Sequence, residues 1–177
     1  MDFYRIKYQT LKNGYREVYP DFQVTRISDL MVRGKSFYAV WDETKGMWST
    51  DEYDVQRLVD DDLQRWVNEH GTENTVVKWM GDFSSNSWLK FRNYMAHLSD
   101  TSHQLDERLT FKDEKVKKND YRSKRLPYAL SNEHPRAFLE LVSELYDPSE
   151  LAKLEWSIGS IVAGDSIDIQ KFVVLYG

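Results

Sequence analysis

The sequence predicts an α+β fold: small antiparallel β-hairpins packed with several helices. Three observations lead there. Two pairs of aromatic and β-branched runs flank short turn sequences, Lys12-Asn13-Gly14 and Asp42-Glu43-Thr44-Lys45-Gly46. Later segments carry apolar side chains at helical spacing. The last residues, Lys171-Phe172-Val173-Val174-Leu175-Tyr176-Gly177, form an apolar run without alternation, the pattern of a strand buried on both faces.

Taken in order, residues 3–8 and 15–19 make the first hairpin, with Asn-Gly at its turn. Phe37 to Trp41 faces Met47-Trp48-Ser49 in the second, where Gly46 suits a positive φ. A helix follows. Ser49-Thr50-Asp51-Glu52 fits the capping box S-x-x-E, and Val55, Leu58, Val59, Leu63, Trp66 and Val67 share one face up to Gly71. Residues 42–73 hold ten acidic and three basic side chains, read as a solvated outer face. Residues 75–79 form a short strand and 81–87 a polar loop. Trp88, Phe91, Met95 and Leu98 line a helix over 86–99. Leu109-Thr110-Phe111 is a brief strand, and Leu126 to Leu130 is extended because Pro127 disfavours helix before it. One helix starts near Pro135 with Phe138, Leu141, Val142 and Leu145. The next opens at Asp147-Pro148-Ser149-Glu150, buries Leu151, Leu154, Ile158, Ile161 and Val162, and stops at Gly164.

Composition excludes whole classes. There is no cysteine, hence no disulfide framework, thiolate nucleophile or cysteine-based metal site. A net charge of −5 excludes a globally basic, histone-like binder, although not a local basic patch. The N-terminus lacks the apolar core of a signal peptide, and no run is long enough to span a membrane. The expected compartment is the cytoplasm, with no membrane partner.

The end of the chain resembles the helicase junction of phage, plasmid and poxvirus-type primase-helicases, the superfamily-three DNA helicases. The residues that carry this are Asp147-Pro148, Leu154, Trp156-Ser157-Ile158-Gly159, Gly164-Asp165-Ser166 and the run 171–177, which in that family leads into the phosphate loop. Phe37 to Asp51, Leu109-Thr110-Phe111 and Arg125-Leu126-Pro127-Tyr128 are similar to elements of the family's N-terminal module. The resemblance covers residues 31–177 and implies an accessory module at 31–165 and the start of a truncated ATPase domain at 166–177 ending in an orphan strand; residues 1–30 are a β-hairpin region of unknown affiliation. Gly177 would be the first glycine of a phosphate loop whose lysine lies beyond it. No cofactor is expected in this fragment; ATP and Mg²⁺ are expected for the full-length parent. The implied partners are single-stranded or forked DNA and, for the parent, a homo-oligomer.

The strongest candidate for chemistry read from the residues is the stretch 112–125. Lys112, Lys115, Lys117, Lys118, Arg122, Lys124 and Arg125 oppose three acidic side chains, with Tyr121 among them and Tyr128 just after. That mixture suits a phosphate backbone with occasional base stacking; the competing reading is a solvated, mobile loop. No catalytic or metal site emerges. Asp60-Asp61-Asp62 point about 100° apart on a helix and cannot converge on one metal pair. His70, His97, His103 and His134 fall in no ligand pattern, and Trp41 with Trp48 reads as core. Two other classes stay open: a module that docks a replication partner through its acidic helix, and a primase-polymerase or nuclease in its own right.

Overall fold

The computed structural model describes residues 1–170 and 174. The expected strand over 171–176 and Gly177 lie outside the described residues. The chain divides into two compact units, 1–104 and 105–177.

The first unit is α+β as expected. Strands β1 (Arg5–Thr10) and β2 (Arg16–Asp21) pair antiparallel, with Tyr8 opposite Val18. Gly14 takes a φ of 81° in their turn, where its amide donates to the Leu11 carbonyl. Strands β3 (Leu30–Arg33), β4 (Ser36–Asp42) and β5 (Met47–Ser49) form a second antiparallel sheet. Strand β3 is additional to the elements the sequence predicts. Its joint to β4 is the tight turn at Gly34 and Lys35, both at positive φ, as a two-residue hairpin turn with the matching twist requires. Strand β6 (Thr75–Val77) joins the first sheet parallel to β2, pairing with Arg16 to Val18. Pro20 therefore sits past the reach of β6, where its missing amide proton costs no ladder bond.

Helix α1 (Glu52–His70) covers the sheets with Val55, Leu58, Val59 and Leu63 buried, while Trp66 and Val67 are half-buried. Its cap is Asp51, which accepts from the Tyr53 amide, and not the expected Ser49–Glu52 box. The backbone is still extended at Asp51, so the helix begins too late for Ser49 to cap it. Helix α2 (Ser87–His97) adds Phe91 and Met95. Together with Phe3, Tyr4, Val18, Phe22, Leu30 and Val40 these side chains make one continuous core. Residues 1–30 thus share a core with 31–104, because Phe3 and Phe22, side by side at the open end of the first hairpin, both pack on Phe91. The compact unit begins at residue 1.

The acidic stretch is more than a solvated face. Asp42 is fully buried at the end of β4, where it accepts from the Thr44 and Lys45 amides at 3.0 and 3.2 Å and from Arg57 at 2.5 Å. One carboxylate thereby closes the β4–β5 turn and bolts it to α1. Burial pushes its carboxyl up, but these hydrogen bonds more than offset that and hold it below the usual carboxylate range. Asp60, Asp61 and Asp62 diverge as helical geometry demands. Asp60 accepts the Met80 and Gly81 amides, Asp61 faces Arg57, and Asp62 binds Tyr4 and Arg65.

The second unit is differently built. Its described backbone contains isolated parallel bridges at Asp106–Arg122 and Thr110–Arg125 in place of the expected strand at 109–111. Helices α3 (Arg136–Ser143) and α4 (Pro148–Ala163) form a helical hairpin. The start of α4 matches the sequence reading: Asp147 accepts from the Ser149 and Glu150 amides, Pro148 occupies the first turn, and Glu150 reaches back to the Asp147 amide. Gly164 ends it at φ 77°. The expected burial does not follow. Among the described residues of this unit only Thr110 and Val142 are buried, whereas Leu141, Leu145, Ile158 and Ile161 are exposed. Helical spacing aligns those side chains, but among the described residues no second apolar layer buries them.

Candidate nucleic-acid interface

The basic stretch 112–125 belongs to the second unit, and its course is set by backbone hydrogen bonds. The Asp106 amide donates to Tyr121, Thr110 to Lys124, Leu126 back to Thr110, and Lys112 to Tyr128, all within 2.8–3.0 Å. Glu114 closes the turn after Phe111 by accepting the Phe111 amide at 2.7 Å. Asp120 accepts the Lys117 amide at 2.8 Å and so caps a single 3₁₀ turn, Lys118–Asp120. Tyr121 follows at φ 52°, a left-handed conformation that swings the chain back alongside Asp106. This is a surface loop tied by backbone hydrogen bonds at several points.

The cations fall into two groups. Arg122 turns inward: its side chain is 15% exposed, and its guanidinium lies 3.4 Å from the Thr110 hydroxyl, 3.5 Å from Glu114 and 3.6 Å from Asp106. Its Nε is buried without a hydrogen-bond partner among the described residues. Lys124 pairs with Glu107 at 2.5 Å, and Arg125 donates to the Glu114 carbonyl at 3.2 Å. Lys118 and Tyr121 are half-buried. The second group is Lys112, Lys115 and Lys117. All three are exposed, and none forms an ion pair among the described residues. Tyr128 is 58% exposed and leans on Phe111 with ring centroids 6.5 Å apart.

Other candidates resolve into structure. Trp48 is buried and meets half-buried Trp41 edge-on at 5.9 Å across β4 and β5, as a core pair. Among the described residues no group of three or more His, Asp or Glu side chains is placed to hold a metal. An open pocket of about 410 Å³ in the first unit is lined by Gln9, Glu17, Tyr19, Asp21 and Lys90, but its carboxylates are spoken for: Glu17 by Lys78 and Asp21 by Lys7. In the loop 81–87, Ser85 and Ser87 turn inward to the Trp79 and Lys78 carbonyls, while Phe83 is 97% exposed. Sequence reading did not single out Phe83, because nothing local distinguishes an outward phenylalanine from a core one. No family model, curated protein or solved structure matches the chain.

Proposed function

We propose that this chain is the N-terminal accessory region of a phage-type DNA replication primase-helicase, helping to engage DNA or assemble a ring, without ATPase activity of its own. ATP and Mg²⁺ would serve the parent's motor. The observation that supports DNA contact is the group Lys112, Lys115 and Lys117: three exposed ammonium groups without carboxylate partners, on a backbone-pinned loop beside an exposed tyrosine. Phosphates replace water around such lysines and release counterions, while Tyr128 offers a face for an unpaired base. The contact would be weak and blind to sequence, since lysine–phosphate contacts carry no sequence information.

The test is fluorescence anisotropy of labelled single-stranded and forked DNA at roughly 50 mM salt, where phosphate contacts are strongest. Binding by the wild type and its loss in Lys115→Glu/Lys117→Glu are expected. No binding to either probe would defeat this reading and favour a protein-docking module.

A further inference from the structure

We infer that the basic loop takes nucleic acid as a single strand, with one unpaired base stacked on Tyr128, and that Tyr128 is the residue that separates single strands from duplex. This rests on the DNA-contact reading of the same loop and adds to it the form of strand the loop prefers.

The ring is held ready for such a contact. Its backbone is tied on both sides of Pro127: the Leu126 amide donates to the Thr110 carbonyl at 2.8 Å, and the Tyr128 carbonyl accepts from the Lys112 amide at 3.0 Å. Pro127 itself fixes one backbone angle between those two bonds. Thr110, at the root of the arrangement, is fully buried. Phe111 supports the ring from 6.5 Å with the two planes 56° apart, a tilted contact that leaves Tyr128 58% exposed. A ring already placed loses little freedom when a base settles on it.

The surroundings supply the phosphate side. The bond between Lys112 and Tyr128 sets their backbones about 5 Å apart. A base on the ring therefore brings a neighbouring phosphate within reach of the Lys112 ammonium, which is exposed and forms no ion pair among the described residues. Other rings lack this combination. Tyr121 is half-buried. Tyr8 is already engaged by Trp66 and Arg16, at 5.8 and 4.9 Å. Tyr53 rises from α1 between Glu52 and Asp54, Phe83 follows Asp82 and Trp156 follows Glu155, where carboxylates repel phosphate. In a duplex both faces of a base are taken by its neighbours, so Tyr128 adds affinity only where bases are unpaired.

Fluorescence anisotropy of the 177-residue chain at roughly 50 mM salt tests this with labelled probes of equal length: oligo(dT), the same strand with abasic residues in place of thymidine, and a blunt duplex. The abasic strand keeps every phosphate and lacks only the bases. The wild type should bind oligo(dT) about tenfold more tightly than the abasic strand, the usual worth of one stacked base. Tyr128→Ala should erase that difference while leaving the salt slope and the affinities for the abasic strand and the duplex unchanged. Tyr128→Phe, which keeps a ring, should keep the preference. The position is exposed, so the melting temperatures of both variants should match the wild type. Binding of no probe would sink the DNA-contact reading and this inference with it. Equal wild-type affinity for oligo(dT) and the abasic strand, a preference that survives Tyr128→Ala or is lost in Tyr128→Phe, or an equal loss on the duplex would overturn the inference alone and leave phosphate contact standing.

Discussion

Replacing Lys115 and Lys117 together by alanine should flatten the salt dependence of DNA binding in a way the structure lets us calculate. If all seven cations of 112–125 met phosphates, the log–log slope on single strands would be about −5, from roughly −0.7 per contact. Affinity would then fall nearly a thousandfold between about 50 and 200 mM salt. The structure removes four of the seven: Arg122 is committed to Asp106 and Glu114, Lys124 to Glu107, Arg125 to the Glu114 carbonyl, and Lys118 is half-buried. Lys112, Lys115 and Lys117 remain exposed and without ion pairs among the described residues. Three contacts give a slope near −2 and a loss of about twentyfold over the same range. The double alanine variant should leave a slope of about −0.7 and a loss of only two- to threefold. Anisotropy titrations at four or five salt concentrations measure this directly. Arg122→Ala is the control: it should lower the melting temperature of the second unit and leave the slope unchanged. A wild-type slope steeper than about −4 would mean that the paired cations abandon their carboxylates for DNA, and the partition argued here would be wrong.

Asp42→Ala should destabilise the first unit by about 3 kcal/mol, since it strands the Thr44 and Lys45 amides and removes the buried partner of Arg57; urea denaturation reads the change. The same cluster sets an acid limit. Asp54 is subject to burial, which alone would raise its carboxyl, yet bonds from Ser49, Lys45 and Arg57 pull it down to about 2, and Asp42 is likewise low. Folded values below unfolded ones mean stability that is complete above about pH 4 and lost as pH falls toward 2, which circular dichroism across that range should show. Gly164→Ala should cost at least about 1 kcal/mol, because φ is +77° and a Cβ would lie 2.5 Å from the Arg108 amide nitrogen; thermal melts test it. By contrast, Phe83→Ser should shift stability by less than about 0.5 kcal/mol, since the ring is 97% exposed.

Local chemistry was legible in the sequence wherever a few adjacent residues decide it. Asn13-Gly14 set a hairpin turn, Gly46 supplied a positive φ, and Asp147-Pro148-Ser149-Glu150 started α4 with its capping box complete. The buried face of α1 followed from spacing alone, as did the divergence of Asp60, Asp61 and Asp62. What needed tertiary structure were the pairings between distant segments. Which carboxylates meet which cations in 106–125 depends on the backbone bridges that bring Asp106 beside Arg122, and a count of lysines and arginines cannot contain that. Helical spacing likewise states which side chains share a face, but burial requires a second surface. Leu63 of α1 found one in the sheets, whereas Ile161 of α4, equally apolar and equally well placed on its helix, remains exposed. Periodicity is a property of one element, and burial is a property of two.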